Sequence, residues 1–152
     1  EQEQKWVVAL SGILFVANFV VAGLNFRYGW CVLPWWEVAV ASVVFLFAYA
    51  LYAEVLRENA YLSRTIEVQE NQQVISTGLY GIVRHPMYAA TLLLFSVMPL
   101  VLASLWSFLI MLLYIPIIHI RIKNEEKVLT EGLKGYKEYK QKVKYKVIPF
   151  VW

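Results

Sequence analysis

From Trp6 to Phe26 the chain runs 21 residues without a charge. As a helix rising 1.5 Å per residue, that run is about 30 Å long, the thickness of a bilayer's hydrocarbon core. Three further apolar runs follow, Trp35–Leu56, Met87–Ser104 and Leu105–Ile122. Hydrophobic residues make up 60% of the chain and charged residues 16%, against about a quarter charged in soluble domains. The sequence therefore predicts an all-α integral membrane protein with four transmembrane helices, at about 6–26, 35–56, 87–104 and 105–122. It predicts one domain over residues 1–152, with a polar loop 57–86, a helical extension past residue 122 and a basic C-terminal tail. The chain opens on the polar run Glu1–Lys5 with neither a methionine nor a signal-peptide pattern, which reads as a fragment lacking upstream spans.

The single cysteine, Cys31, excludes an internal disulfide and any cysteine-based zinc or iron–sulfur site within one chain. The two histidines stand 34 positions apart, so no metal-ligand cluster is indicated. Nine of the fourteen Lys and Arg lie between Arg121 and Lys146, directly after a membrane helix. That placement favours an anionic lipid surface over nucleic acid as the partner of the tail. Loop 57–86 and tail 121–152 are separated by two spans and share a side. Together they hold twelve of the fourteen basic residues, which makes that side cytoplasmic.

Within this frame the polar exceptions matter. Asn18 and Asn25 interrupt the first span and predict interhelical hydrogen bonds. Pro99 and Pro116 predict a kink or a lost backbone bond in the last two runs, with a short turn between them near Ala103–Ser104. Thr65–Gln69 alternates like a short strand. Val74, Ile75, Leu79 and Tyr80 predict that the long loop is ordered and packs on something. Gly132 and Gly135 punctuate the extension. Tyr136–Lys146 reads as an interfacial anchor of lysines and headgroup-level tyrosines. The apolar end, Val147–Trp152, is expected to fold back onto the membrane or the site.

Two stretches carry chemistry. In Gly78-Leu79-Tyr80-Gly81-Ile82-Val83-Arg84-His85-Pro86-Met87-Tyr88, Pro86 marks the first turn of a helix and His85 its N-cap region. A helix start offers free N–H groups and a positive dipole end to an anion. Gly78 and Gly81 permit close approach by a flat group, and Tyr80 and Tyr88 supply faces and hydroxyls. The second stretch is Arg121-Ile122-Lys123-Asn124-Glu125-Glu126. Arg121 and Glu125 share a helical face and can pair, while Glu126 is turned about 100° away. One acid remains to meet a cation. A ligand bearing a carboxylate, an ammonium and a planar base, such as S-adenosylmethionine, has the shape these groups describe.

The ordered combination Gly78-Leu79-Tyr80, Arg84-His85-Pro86, Tyr88, an apolar hairpin, Arg121, Glu125-Glu126, Leu129, Tyr136, Tyr139 and Val147-Ile148-Pro149 resembles the isoprenylcysteine carboxyl methyltransferase and phospholipid methyltransferase superfamily. The resemblance covers roughly residues 74–152. It implies S-adenosylmethionine bound on the cytosolic side, between the loop before the third span and the C-terminal segment. It implies cofactor contacts from Tyr80, Arg84, His85, Pro86 and Tyr88, with Glu125 and Glu126 at the amino group or ribose. Arg121 would orient an acidic or phosphate-bearing acceptor, so Arg121 and Glu125 are the implied catalytic pair. The implied function is methyl transfer to a lipidic or lipidated acceptor, an isoprenylcysteine carboxylate or a phospholipid amine. A sulfonium methyl is already activated, so alignment and exclusion of water are what the protein supplies. A nicotinamide-dependent sterol-type reductase and a non-catalytic membrane scaffold are the rival readings. The small number of spans is compatible with a homodimer.

Overall fold

In the computed structural model, residues 2–59, 61 and 66–152 are described, with side chains from Trp6 onward. Every regular element among them is helical: α1 (Gln2–Tyr28), α2 (Trp35–Glu58), a 3-10 turn (Gly78–Gly81), α3 (Pro86–Val101), α4 (Leu105–Met111), α5 (Tyr114–Gly132) and α6 (Tyr136–Lys142). Three segments are long and apolar enough to cross a membrane: Trp6–Tyr28, Trp35–Glu58, and Leu105–Gly132, which runs through α4 and α5. The fourth apolar helix, Pro86–Val101, is shorter. α2 packs along α3, α3 against α4, and α1 against α4 and α5. Large apolar side chains such as Phe19, Val43, Leu46 and Phe47 face outward, as they do where the solvent is lipid.

Local sequence explains where the helices break. α3 stops two residues after Pro99; Ala103 then turns left-handed at φ 54° and Ser104 caps α4 by accepting from the Ser107 N–H. The α4–α5 boundary falls just before Pro116. Proline offers no N–H to the Leu112 carbonyl, and the chain tightens there into Leu113–Ile110 and Ile115–Leu112 bonds.

The two asparagines differ. Asn25 behaves as expected, donating to the Ala103 carbonyl at 3.1 Å and the Cys31 carbonyl at 2.9 Å while accepting from the Cys31 N–H. Asn18 is fully buried, but it is its main-chain carbonyl that accepts from Ser107 Oγ at 2.9 Å; its side-chain amide makes no hydrogen bond among the described residues.

The segment expected as a strand is irregular over Ile66–Gln69; Arg64 and Thr65 lie outside the described residues. The loop does pack, with Val68 and Val74 against Leu133, Tyr136, Tyr139 and Val143. The C-terminus folds back as expected. Val147 joins Tyr88, Ile118 and Ile122 in one core cluster, Trp152 stacks on His119, and the Val147 and Ile148 N–H groups both donate to the Trp152 carbonyl. Tyr136 and Tyr139, expected at the headgroup level, are instead buried, because α6 packs on Leu129 and Leu133 with Val68 and Val74 of the loop over it.

Candidate functional site

The site is assembled where the end of α2, the 3-10 turn, the start of α3, the end of α5 and α6 converge. The turn is fixed first. Glu58, the last residue of α2, accepts from the Leu79 N–H at 2.9 Å. Gly78 sits at φ 52°, and a Cβ there would lie 1.7 Å from Glu58 Oε1. Gly81 faces the Ser76 carbonyl, 3.2 Å from where a Cβ would stand. Gly78 thus allows close approach by the chain's own Glu58, and Gly81 sits tight against the Ser76 carbonyl.

Tyr80 is held at both ends. Its hydroxyl accepts from Asn59 Nδ2 at 2.8 Å, and its carbonyl accepts from the Tyr139 hydroxyl at 2.7 Å. Burial pushes the Tyr80 hydroxyl up to about 12, with the Asn59 bond opposing and the Glu125 and Glu58 charges adding to the rise.

The tail then docks on the approach to α3. The Arg84 and His85 N–H groups donate to the carbonyls of Tyr145 and Lys146 at 2.9 and 2.8 Å. Pro86 is buried at the first position of α3, where its missing N–H costs nothing. Arg84 Nε donates to Glu126 Oε1 at 2.7 Å, and Nη1 donates to the Val143 and Lys144 carbonyls at 2.7 and 3.0 Å. Glu126 also meets His85 Nε2 at 3.3 Å, Lys140 Nζ at 3.3 Å and Lys146 Nζ at 3.8 Å. The side chains of Arg84 and Glu126 are only 5% and 6% exposed. Together they clamp α3, α5, α6 and the tail.

Glu125, one residue earlier, faces differently. The Tyr88 hydroxyl donates to Glu125 Oε2 at 2.5 Å, and Arg121 Nε donates to that same hydroxyl at 2.9 Å. The Arg121–Glu125 pair read from the i,i+4 spacing is therefore bridged by Tyr88. His85 Nδ1 lies 3.8 Å from Glu125 Oε1, and the Glu125 side chain is 27% exposed.

Tyr80, Arg84, His85, Tyr88, Arg121 and Glu125 line one cleft that opens to solvent. Of the residues implied in sequence, Pro86 and Glu126 are not in its wall: Pro86 starts the helix, and Glu126 points into the clamp behind. Asn59, Tyr136 and Tyr139 line the cleft as well and had been given no site role. Burial pushes the Tyr136 and Tyr139 hydroxyls well above the usual phenol range. The Glu126 and Glu125 charges add to the rise at Tyr136, and at Tyr139 the neighbouring Tyr80 does. The signal for these two was present: Tyr-x-x-Tyr spacing puts both rings on one helical face. Asn59 gave none.

A partly exposed carboxylate, a guanidinium held beside it and several aromatic walls suit a ligand that is both charged and planar. The long apolar helices and this cleft define a helical membrane protein with a polar site at one end of its bundle. The family model described as phospholipid methyltransferase matches residues 36–136, about two thirds of the chain. The chain belongs to the phospholipid methyltransferase family, which makes it a membrane methyltransferase by family. Members of the family generally use S-adenosylmethionine. The match does not favour the reductase and scaffold readings. No curated protein matches the chain.

Proposed function

We propose that the protein transfers a methyl group from S-adenosylmethionine to a lipidic acceptor at the cytosolic face of a membrane. One observation carries the reading. In a chain of this family, His85, Tyr88, Arg121 and Glu125 converge on a single cleft at the end of apolar helices. The donor set fits the cofactor: Glu125 offers a partly solvated carboxylate to an ammonium, and Tyr80 and Tyr139 offer rings to a base. When bound, S-adenosylmethionine supplies a sulfonium methyl group for in-line displacement.

The remaining steps fall to the chain. Glu125, braced by Tyr88, holds the amino group of the ligand, and His85 stands behind it. Arg121, on α5, orients the acidic or phosphate-bearing end of the acceptor. Loop 66–76 and α6 wall the cleft, so bound donor and acceptor displace its water, which strengthens each charge contact inside. A carboxylate acceptor needs no base. An amine acceptor must lose a proton, and Glu125 and His85 are the groups at the cleft able to take it; Glu126 is already engaged by Arg84, His85 and Lys140.

The whole of 1–152 acts as one domain in this reading. At 1.5 Å per residue α3 is about 24 Å long, enough to cross beside its longer neighbours with modest local thinning of the bilayer. Four crossings then leave loop 57–86 and the basic tail together on the cytoplasmic side.

The test is a thermal-shift and methyl-transfer pair on detergent-solubilised protein. S-adenosylhomocysteine at a hundred times its Kd should stabilise the wild type by about 2.7 kcal/mol. Glu125→Ala should abolish that shift, and radiolabelled methyl groups should enter the lipid fraction of membranes holding the wild type only. Absence of both ligand stabilisation and transfer in the wild type refutes the proposal.

A further inference from the structure

Five tyrosines stand in the cleft wall: Tyr61, Tyr80, Tyr88, Tyr136 and Tyr139. Four have their hydroxyls engaged. Tyr61 donates to the Asn71 carbonyl, Tyr88 to Glu125 and Tyr139 to the Tyr80 carbonyl, while Tyr80 accepts from Asn59. The Tyr136 hydroxyl makes no hydrogen bond among the described residues, although the residue is only 4% exposed. A buried hydroxyl without a partner is costly, and folded proteins rarely retain one without a reason.

The surroundings say what the missing partner is. Burial and the two nearby carboxylates keep the phenol protonated, so the group offers a proton. None of the neighbouring acceptors takes it: Glu126 holds Arg84, His85 and Lys140, the carbonyls of Val143 and Lys144 hold Arg84, and Glu125 accepts from Tyr88. A ligand oxygen or nitrogen acceptor reaching this side of the cleft would complete the site. Tyr136 also lies beyond Gly132, past the end of α5, whereas Arg121 is the first charged residue after the apolar run from Leu105, eleven residues or about 16 Å nearer the membrane than Gly132. A water-soluble ligand reaches the Tyr136 end, and a lipid acceptor reaches the Arg121 end.

We propose that Tyr136 is a ligand-binding residue whose hydroxyl donates a hydrogen bond to an acceptor atom of the adenosyl cofactor. This rests on the methyltransferase reading above and adds a residue that reading does not need. The experiment compares wild type, Tyr136→Phe and Tyr139→Phe as full-length protein in detergent. It measures the Kd for S-adenosylhomocysteine, the thermal midpoint without ligand, and the KM for the lipid acceptor.

Tyr136→Phe should weaken S-adenosylhomocysteine about tenfold, leave the ligand-free midpoint unchanged or higher, and leave the acceptor KM unchanged. Tyr139→Phe, which breaks an existing bond, should lower the midpoint. A Tyr136→Phe protein that binds S-adenosylhomocysteine like the wild type overturns the inference alone. So does one that loses stability without ligand, which would give the hydroxyl a structural partner, or one whose only change is a higher acceptor KM. A wild type that binds no S-adenosylhomocysteine overturns the inference together with the methyltransferase reading.

Discussion

Replacing Glu126 with alanine should release the tail from the bundle. The change strips Arg84 of its carboxylate while leaving the guanidinium buried, with its side chain 5% exposed. Removing one partner of a buried ion pair costs about 3–5 kcal/mol. The Val143 and Lys144 carbonyls still accept from Arg84, which points to the lower end, about 3 kcal/mol. Lys140 and Lys146 are 41% and 30% exposed at their side chains, so rehydrating them adds little.

The loss is local to the seam where Arg84 and His85 bond the Tyr145 and Lys146 carbonyls. Trypsin sites after Lys142, Lys144 and Lys146 lie in that seam and are cut when it opens. Where opening is fast relative to cleavage, the rate follows the open population, and about 3 kcal/mol multiplies it roughly a hundredfold. Limited proteolysis with mass detection of the released C-terminal peptide reads this directly. The double variant Arg84→Met with Glu126→Leu removes both charges and should recover most of the protection, because an apolar pair of similar volume replaces a buried ion pair at little cost. Cleavage of Glu126→Ala at the wild-type rate, or a double variant as open as the sum of its singles, would falsify the clamp.

Gly78→Ala should cost about 2 kcal/mol or more, since it adds a Cβ at φ 52° and 1.7 Å from Glu58 Oε1, expelling the carboxylate that caps Leu79; a thermal midpoint within a degree of wild type contradicts it. Asn25→Ala removes the side chain that ties the Cys31 main chain and the Ala103 carbonyl to α1, and should cost about 1–2 kcal/mol by denaturant titration in detergent; a neutral result would mean the turns hold without it. Tyr80 titrates near 12 when folded and near 10 when unfolded, so its protonated form gives full stability below about pH 10, and that contribution falls as pH rises toward 12. Ultraviolet titration at pH 11 should accordingly leave at least Tyr80, Tyr136 and Tyr139 protonated among the ten tyrosines, and complete ionisation by pH 11 would contradict their burial.

What was legible in the sequence follows from how local each cause is. An uncharged run dictates an apolar helix by itself, so α1 and α2 were readable to within a few residues. Pro99 and Pro116 act on carbonyls one turn away, so the hairpin turn and the α4–α5 break were readable too. Side-chain partners across the fold were not. Asn18 and Asn25 look alike in a row of letters, yet only Asn25 reaches a turn whose carbonyls point at it. Gly78 was read as leaving room for a flat group, and the atom that comes close to it in the fold belongs to Glu58, twenty residues earlier. The lysine-rich stretch after Gly135 advertised an interfacial anchor. Tyr136 and Tyr139 instead face inward, because loop 66–76 supplies apolar cover that no spacing rule announces.

The adjacent acids show how one site serves two ends. Consecutive helical residues point about 100° apart, so Glu125 and Glu126 at the end of α5 must face different partners. Glu126 takes the buried direction and is neutralised by Arg84, with His85 and Lys140 filling its remaining lone pairs. Its charge is spent on geometry, fixing His85 and the tail that backs the cleft. Glu125 takes the open direction, where Tyr88 braces one oxygen and leaves the carboxylate partly solvated. A lone acid at this position would have to choose between holding the wall and meeting a ligand's cation. With two, Glu126 completes the wall, and under the function proposed above Glu125 is the carboxylate left to meet the ligand's cation.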